Sequence, residues 1–334
     1  MRTIAVLGAG SWGTAIAVHL GRLGHRVHLW ARDARLVADI EARRANAVYL
    51  PDVTLPESVT LTGVLAPALE DIDVVVSAIP SHGCRAVMRA AAPYLHAQAT
   101  IVSATKGLEP DSLLRMSEVI GQELGPARSV VVLSGPSFAS EVAQQLPTVL
   151  VAASAHPSAT ELIQSEFRGP ALRLYASADV VGVEIGGAMK NVIAIAAGVV
   201  EGLGLGHNAL AALITRGLAE ITRLAQAAGG HRETTAGLSG LGDLVLTCTG
   251  SLSRNRHVGL ELARGRRLVD IVSGMKMVAE GVNTTRAALA LGVRHGVELP
   301  IATQMAAVLE GRIDVRSAVE ALMLRPQRTE VEGR

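Results

Sequence analysis

Lys190 is the residue whose surroundings in the sequence most strongly suggest chemistry. It lies in the segment VEIGGAMKNVIAIAAG, where Val183, Gly187, Lys190 and Ala194 fall on one face of a predicted helix. Glycine inside a helix costs about 1 kcal/mol relative to alanine, so Gly186 and Gly187 predict that another helix or a substrate packs closely there. A lysine in such a groove can donate a proton to a developing alkoxide. The alternative is a lysine that extends from a helix contact towards solvent.

Two further polar segments directly follow predicted strands. Lys106 lies in ATKGLE, after the strand predicted over 100–104, and Gly135 and Ser137 lie in SGPSFASE, after the strand predicted over 130–133. Ligands of open α/β folds bind at the carboxyl ends of the strands, so these residues are candidates for a ligand site. An ordinary surface lysine at 106 and a helix cap at Ser137 are the structural alternatives.

A phosphate site is predicted near residue 254. The segment AGLSGLGDLVLTCTGSLSRNRHVG holds Asp243 between glycines and then the cluster Ser253, Arg254, Asn255 and Arg256. Guanidinium groups engage phosphate oxygens in pairs, and hydroxyl and amide donors add to that binding. A solvated basic loop is the alternative. The ten histidines show no metal-ligand spacing, so no metal site is predicted.

The string GAGSWG, from Gly8 to Gly13, predicts a dinucleotide-binding turn. It follows the strand predicted over 4–7 and opens a helical segment that ends at Gly24. Gly8 permits the tight turn, Gly10 lets the backbone approach a pyrophosphate, and Gly13 allows the helix to pack on the strand. The phosphates would then lie at a helix N-terminus. Alone the motif is weak evidence, and a plain glycine turn is the alternative.

The end of the second predicted strand, at Trp30, bears on which nicotinamide cofactor is bound. An acid there would bond to a ribose 2′-hydroxyl, whereas a basic residue would accept a 2′-phosphate. Asp33 lies 20 residues after Gly13 but beyond the strand, and Arg32 is placed to meet the added negative charge. We therefore expect NADPH to be favoured over NADH, with both usable. A solvated loop pair of Arg32 and Asp33 is the alternative.

These segments require a βα framework followed by helices. Seven β-branched runs alternate with stretches of helical length, and the continuously apolar ones predict strands buried on both faces of a parallel sheet. The runs are 4–7, 27–30, 74–78, 100–104, 130–133, 148–153 and 172–175. After about Ala178 the apolar period becomes 3.6, with one stripe from Leu210 to Ala228 and Glu220 on the opposite face. The sequence predicts two domains, an α/β domain over 1–179 and an all-α domain over 180–334.

Composition narrows the class of protein. The chain has 334 residues with a formal charge of +1, so no basic field attracts nucleic acid or an anionic membrane. Hydrophobic residues make up 49%, which excludes intrinsic disorder, and aromatic residues only 2%, which leaves few platforms for stacking on bases. The two cysteines fit a reducing compartment, there is no signal-peptide pattern, and the longest apolar run, 192–200, is nine residues. We expect a soluble cytoplasmic protein without membrane insertion or a nucleic-acid partner.

Taken together, nine segments resemble bacterial NAD(P)-dependent glycerol-3-phosphate dehydrogenases. In that family's order, from Thr3 to about Leu322, they are GAGSWGTA, LPDV after Asn46, ATKGLE, SGPSFASE, GGAMKNVIAI, ITRGLAE, GLGDLVLTCT, SRNR and VAEGVNTT. The combination is specific, although many dehydrogenases share GAGSWG. The resemblance implies an N-terminal Rossmann-type doubly wound sheet and an all-α C-terminal substrate domain, in agreement with the predicted elements.

The resemblance also implies roles for individual residues. Lys190 is similar to the family's catalytic acid/base. The positions similar to substrate contacts are Lys106, Gly135, Ser137, Lys190, Asp243, Ser253, Arg254 and Asn255. Those similar to dinucleotide contacts, beside Gly8, Gly10 and Gly13, are Ser11, Trp12, Arg32, Lys106, Ala139, Arg254, Val278 and Glu280. At Ala279 the family usually has a larger aliphatic residue. The residue at Arg32 varies within the family, which leaves the preference between NADH and NADPH open.

The expected reaction is reversible hydride transfer between a nicotinamide and the central carbon of dihydroxyacetone phosphate, with Lys190 protonating the carbonyl oxygen. The product, sn-glycerol 3-phosphate, would supply glycerophospholipid synthesis. We expect Asp243 and Lys106 to position Lys190 and the substrate. Two alternatives stay open: a reductase for another small keto acid such as ketopantoate, and a non-catalytic dinucleotide sensor that needs the glycine turn but not Lys190. The family suggests a homodimer.

Overall fold

The computed structural model describes residues 1–275, 277–327 and 329–330. Its strands are β1 (Thr3–Leu7), β2 (Arg26–Trp30), β3 (Ala45–Asn46), β4 (Leu50–Thr54), β5 (Val59–Thr62), β6 (Val74–Ser77), β7 (Thr100–Ser103), β8 (Val130–Ser134), β9 (Thr148–Ala153) and β10 (Leu172–Ser177). Its helices are α1 (Ser11–Arg22), α2 (Ala34–Arg43), α3 (Leu65–Ala68), α4 (Ser81–Ala91), α5 (Met116–Leu124), α6 (Ala139–Ala143), α7 (Pro157–Phe167), α8 (Val180–Gly202), α9 (Gly206–Ala227), α10 (Arg232–Thr235), α11 (Asp243–Thr249), α12 (Arg254–Ala263), α13 (Leu268–Ser273), α14 (Glu280–His295), α15 (Pro300–Leu309) and α16 (Val315–Met323). A 3₁₀ turn spans Ala92–Tyr94 and a π-helical turn spans Leu238–Gly242.

Eight strands form one sheet in the order β10-β9-β8-β7-β6-β1-β2-β5. The chain begins in the middle, at β1, and the strand order reverses between β1 and β6, which opens a crevice at the carboxyl ends of these strands. All seven predicted strands are present. The strand β5 and the separate antiparallel hairpin of β3 and β4 were not predicted, because their strands are short and only partly buried and do not form a continuous apolar run.

The strands β9 and β10 depart from the predicted parallel sheet. They pair parallel to each other, but β9 runs antiparallel to β8. The helix between β8 and β9 is α6, with five residues and a rise of about 8 Å, which is too short to return the chain to the opposite edge of the sheet. As a result β9 starts at the edge where β8 ends, and the loop from Gly135 to Ser137 stays at that edge.

Helix α8 connects the sheet to the helical region. Its first turn packs on the sheet, where Val183 joins the cluster of Val132, Val151 and Ala153. Its remaining turns pack against α9, α11, α12 and α14. A Cβ atom on Gly198 of α8 would lie 1.9 Å from the carbonyl oxygen of Arg256, so α8 and α12 touch backbone to backbone. This contact fixes the start of α12 against the C-terminal part of α8.

Helix α8 is also, in the described part of the chain, the one helix long and apolar enough to cross a membrane, although its apolar sequence is interrupted at Lys190. The uninterrupted apolar run 192–200 is only nine residues long because Asn191 precedes it and Glu201 follows it. In the structure 89% of the most apolar 18-residue window is buried inside the protein. Its composition therefore reflects its place at the centre of the helical core.

Glu220 corrects the predicted pattern of α9. It lies not on a polar outer face but in the core, 2% exposed, and its carboxylate accepts hydrogen bonds from the backbone N–H groups of Ile301 (2.6 Å) and Ala302 (3.3 Å). These groups belong to the first turn of α15, where N–H groups lack partners within the helix. Burial raises the pKa of Glu220 to about 7, although the two backbone hydrogen bonds oppose the shift.

This pKa predicts a pH dependence of stability. Because the folded pKa lies above the ordinary value of 4.5, the folded state binds more protons than the unfolded one, and the free energy of unfolding should fall as pH rises from about 4.5 to about 7. A Glu220→Gln variant keeps an acceptor and should lose this dependence; Glu220→Ala should lose it too and should cost about 2 kcal/mol at pH 4.5, a cost that shrinks as pH rises. Urea denaturation between pH 4.5 and 8 tests this, with exposed Glu233→Gln as control. An unchanged pH slope in Glu220→Gln would contradict it.

Candidate active site

Lys190 lies midway along α8 and is buried, with 7% of its surface exposed. Its Nζ donates hydrogen bonds to Oδ1 of Asp243 (2.6 Å) and to Oγ1 of Thr247 (2.9 Å). The side chain therefore does not extend into solvent, as the structural alternative required. Its ammonium group is instead fixed on two oxygens of α11.

The same aspartate also holds Lys106. The Nζ of Lys106 donates to Oδ2 of Asp243 (2.7 Å), to the carbonyl oxygen of Gly135 (2.8 Å) and to Oγ of Ser137 (3.4 Å). Lys106 and Gly135 follow β7 and β8 of the sheet, whereas Asp243 and Lys190 belong to the helical region. One buried carboxylate thus joins the sheet edge to the helices, and Ser137 bonds within this cluster and does not cap α6.

The cluster of Lys106, Asp243 and Lys190 carries two positive charges and one negative charge. The pKa of Lys190 is lowered to about 8, because burial, together with the positive charge of Lys106, outweighs the opposing effect of the Asp243 carboxylate. A buried amine with a pKa close to neutrality can both give and take a proton at physiological pH. The arrangement therefore supplies a fixed proton donor at the sheet edge.

A tight turn before α11 sets the position of Asp243. The π-helical turn 238–242 packs against α8 at Gly186, where a Cβ atom would lie 2.9 Å from the carbonyl oxygen of Ser239. At Gly187 a Cβ atom would lie 2.9 Å from Oγ of Ser134. Protein atoms therefore pack closely against Gly186 and Gly187, on two sides of α8.

Two residues of this site were not singled out from the sequence. Thr247 follows Asp243 by one helical turn and donates its hydroxyl hydrogen to the carbonyl oxygen of Asp243 (2.6 Å), which leaves its oxygen free to accept from Lys190. Asn191 lies beside Lys190 and donates to the carbonyl oxygen of Lys106 (3.4 Å). The spacing of four between Asp243 and Thr247 was the available signal.

The start of α12 lies next to this cluster. Asn255 donates to Oδ1 of Asn191 (2.9 Å) and accepts from the backbone N–H of Gly281 (2.9 Å), so its amide joins α8, α12 and α14. Ser253 is the N-cap of α12 and accepts from the backbone N–H of Arg256 (3.2 Å). Among the residues that the structure describes, the exposed guanidinium of Arg254 has no hydrogen-bond or ion-pair partner, so it is available to an anion.

Arg256 corrects the predicted phosphate cluster. Its guanidinium forms an ion pair with Glu201 (2.6 Å) and donates to the carbonyl oxygen of Gly250 (3.2 Å). It therefore supports the loop before α12 and is not free for a phosphate. Only one of the two predicted arginines remains available.

The glycine turn before α1 has the geometry that a pyrophosphate needs. Gly8 has φ +110°, and a Cβ atom at Gly13 would lie 1.8 Å from the carbonyl oxygen of Gly8, so neither position accepts a side chain. A Cβ atom at Gly10 would meet nothing within 4 Å, which leaves the backbone open to a ligand. The indole Nε1 of Trp12 is buried and has no partner among the described residues. The turn therefore fits a dinucleotide phosphate.

Asp33 and Arg32, the acid and the base considered for the ribose 2′ position, have different surroundings after β2. The carboxylate of Asp33 accepts from the backbone N–H groups of Arg35 (2.9 Å) and Leu36 (3.4 Å) and caps α2. One carboxylate oxygen of Asp33, Oδ1, is therefore engaged by the helix, while the residue itself is exposed. Arg32 is exposed beside it.

The remaining predicted dinucleotide residues lie around this turn. Ala139 begins α6, which packs against α1. Val278 is exposed in the loop before α14. Glu280 accepts from the backbone N–H (2.9 Å) and the hydroxyl (2.7 Å) of Ser81 at the start of α4, and so joins the helical region to the sheet at the strand-order reversal. In residues 1–275, 277–327 and 329–330, no group of three or more His, Cys, Asp and Glu side chains is arranged to hold a metal.

The shared carboxylate predicts a strong effect of removing its charge. An Asp243→Asn variant leaves two ammonium groups near each other without a counter-charge, and the free energy of unfolding at pH 6 should fall by about 3–5 kcal/mol. The loss should shrink towards pH 9, because Lys190 then sheds its proton in both proteins. Denaturation at both values tests this, with Asp39→Asn, which breaks the exposed pair with Arg43, as control. Equal losses in the two variants would contradict the prediction.

The chain matches two family models over most of its length. The N-terminal part of NAD-dependent glycerol-3-phosphate dehydrogenase matches residues 3–160, and the C-terminal part matches residues 179–320. A glycerol-3-phosphate dehydrogenase of the NAD(P)+ type from Koribacter versatilis is 54% identical over 99% of both chains. One from Geobacter sulfurreducens is 50% identical over 98% of both chains.

Solved structures agree. The crystal structure of a glycerol-3-phosphate dehydrogenase from Coxiella burnetii is similar at a TM-score of 0.94 and 40% identity, covering 97% of this chain and 99% of that one. A ketopantoate reductase from Ralstonia eutropha has a TM-score of 0.59 and 16% identity, covering 96% of this chain and 99% of that one, a likeness of fold alone. From the matched models and relatives, the chain belongs to the NAD-dependent glycerol-3-phosphate dehydrogenase family.

Proposed function

We propose that this chain catalyses the reversible NAD(P)H-dependent reduction of dihydroxyacetone phosphate to sn-glycerol 3-phosphate. The family supports the reaction, and the relatives named above carry that activity in their names. The observation that carries the mechanism is the carboxylate of Asp243, which holds Lys190 and Lys106 at 2.6 Å and 2.7 Å. It keeps a proton donor at the edge of the sheet where the crevice opens.

Lys190 is the proposed acid. When bound, the nicotinamide supplies the hydride for reduction and accepts it in the reverse direction. The ammonium group of Lys190 gives its proton to the oxygen of the substrate carbonyl as negative charge develops there, and takes it back in the oxidation. Thr247 and Asp243 hold Nζ in place, and burial, helped by the charge of Lys106, keeps the pKa of Lys190 low enough for transfer in both directions. Asn191, Gly135 and Ser137 complete the walls of the proposed site.

The proposed phosphate site is the start of α12. Arg254 offers a guanidinium without a protein partner among the described residues, and the first backbone N–H groups of a helix lack acceptors within the helix. Ser253 and Asn255 shape this end of the helix, Ser253 by capping it and Asn255 by tying it to Asn191. A phosphate held there would lie at the helix end that Asn255 ties to Asn191, the residue next to Lys190.

The proposed dinucleotide site is the glycine turn with its neighbours. Gly8, Gly10 and Gly13 shape the turn, and Ser11, Trp12, Ala139, Lys106, Arg254, Val278 and Glu280 are the proposed contacts around it. Arg32 is exposed after β2 while Oδ1 of Asp33 caps α2, and we propose that the guanidinium of Arg32 meets a 2′-phosphate, which supports a preference for NADPH while NADH remains usable.

The wider setting is also proposed. Residues 1–179 would bind the dinucleotide and residues 180–334 the substrate, with α8 belonging structurally to both. Cys84 and Cys248 are free and buried, and burial raises the pKa of their thiols to about 11 and about 12, which suits a reducing cytoplasm. The family favours a homodimer, and the product would feed glycerophospholipid synthesis.

A spectrophotometric assay tests the function against its two rivals. NADPH and then NADH oxidation is followed with dihydroxyacetone phosphate and, separately, with ketopantoate. Turnover on the phosphorylated ketone and none above background on ketopantoate supports the proposal. The reverse order would favour a keto-acid reductase, and tight NADPH binding without turnover on either would favour a sensor.

Replacing Lys190 should remove the proton donor. Lys190→Ala should lower kcat for reduction by about 10²- to 10⁴-fold, the usual contribution of a positioned acid. In the wild type, reduction should slow as pH rises through about 8, because Lys190 loses its proton, and oxidation of glycerol 3-phosphate should speed up over the same range. Steady-state rates between pH 6 and 10 measure both, with exposed Arg89→Ala as control. Turnover within tenfold of wild type would reject the role.

Replacing Arg254 should weaken phosphate binding. Arg254→Ala should cost about 1.5–3 kcal/mol in kcat/KM for dihydroxyacetone phosphate, the range for charge-assisted bonds, and far less for dihydroxyacetone. Its neighbour Arg256 pairs with Glu201, so Arg256→Ala is a matched control that removes an arginine from the same helix turn. Similar losses on the two substrates, or similar losses in the two variants, would remove the phosphate assignment.

A further inference from the structure

The hairpin of β3 and β4 carries none of the residues proposed above to bind the substrate or the dinucleotide. It is an excursion between α2 and β5 that does not join the main sheet. Leu50, Val53 and Leu55 anchor it in the core, with 2%, 6% and 3% of their surfaces exposed. Its β4 strand packs against α1 and α6. The hairpin is therefore held rigidly beside the glycine turn.

Asn46 is the residue through which the hairpin grips that turn. Its side chain is fully buried, at 0% exposure. Its Nδ2 donates to the carbonyl oxygen of Ala9 (2.9 Å) and to Oγ1 of Thr14 (2.9 Å), and its Oδ1 accepts from the backbone N–H of Tyr49 (3.1 Å). Both N–H groups and the oxygen of the amide are thus used, and a side chain without a donor could not replace it.

A second contact ties the other side of the turn to the same hairpin. Oγ of Ser11 lies 2.6 Å from the carbonyl oxygen of Tyr49, its nearest acceptor, and 2.8 Å from the sulfur of Met277. The residues gripped, Ala9 and Ser11, flank Gly10, whose Cβ position is open. The hairpin therefore fixes both neighbours of the residue where the backbone is free to meet a ligand.

We infer that Asn46 is a positioning residue for the dinucleotide, which holds the peptide between Ala9 and Gly10 in the orientation that receives the pyrophosphate. The amide does this by donating to the carbonyl of Ala9, so that the carbonyl points into the hairpin and away from the phosphate oxygens. A carbonyl turned towards the phosphates would repel them, because both are acceptors. The inference rests on the proposed function only in taking the ligand to be a nicotinamide dinucleotide.

Asn46→Asp tests this with little change of shape. The carboxylate can still accept from Tyr49 but cannot donate to Ala9 when ionised. The dissociation constant of NADPH, measured by calorimetry without substrate, should rise about 10- to 100-fold, as expected for one or two lost bonds to a positioned group. At saturating NADPH, kcat and the KM for dihydroxyacetone phosphate should stay within about threefold of wild type, a split that a general loss of structure would not give.

Two further variants complete the test. Asn46→Ala adds no buried charge, and if Asn46→Asp fails to fold by circular dichroism, the alanine variant decides by the same thresholds. Thr54→Ala alters an exposed position of the same hairpin and should leave NADPH binding unchanged. NADPH binding within twofold of wild type in a folded Asn46 variant, or an equal rise in the KM for dihydroxyacetone phosphate, would overturn the inference. Wild-type binding of NADPH without turnover would instead count against the proposed function alone.

Discussion

The proposed active site depends on a single buried carboxylate, that of Asp243. It accepts hydrogen bonds from Lys190 of α8 and Lys106 of the sheet edge, at 2.6 Å and 2.7 Å. Without this carboxylate, the two ammonium groups would repel each other in a site with little water. Their attraction to the carboxylate offsets part of the free-energy cost of burying them. The balance leaves Lys190 with a pKa near 8, close to the pH at which a proton must move.

The rest of the fold serves this contact. The short helix α6 forces β9 to turn back, and this keeps Gly135 and Ser137 beside Lys106. Close packing at Gly186 and Gly187 brings α8 against the turn before Asp243 and against Ser134. The backbone contact at Gly198 fixes the start of α12, where Arg254 is the first residue, against the C-terminal part of α8. Glu280 and Ser81 join the helical region to the sheet at the strand-order reversal, so that the two parts of the site face each other.

Much of this arrangement could be predicted from the sequence. Seven β-branched runs identified seven strands, and a continuously apolar run such as 4–7 marks a strand buried on both faces. The glycine string located the dinucleotide turn, because Gly8, Gly10 and Gly13 each meet a different steric demand. Lys190, Lys106 and Asp243 were named as candidates, but their shared hydrogen bonds were not, since these contacts join residues more than 50 positions apart.

Other features could not be predicted because short-range patterns do not determine them. Glu220 reads as a surface residue by helical period, yet it caps α15, which lies about 80 residues later in the chain. Arg254 and Arg256 are the same residue type in one short segment, and only the three-dimensional position of Glu201, which pairs with Arg256, distinguishes their roles. Asn46 lies in a hairpin whose strands alternate weakly, so nothing local marked it as the partner of Ala9.

The most direct test is a crystal structure of the chain with NAD+ and dihydroxyacetone phosphate bound together, a pair that cannot react because the oxidised cofactor carries no hydride to transfer. The account predicts that Nζ of Lys190 lies within hydrogen-bond distance of the ketone oxygen, roughly 2.6–3.2 Å, while it remains bonded to Asp243. A ketone oxygen bound to another donor, with Nζ of Lys190 farther than about 5 Å from it and no water between them, would contradict the account.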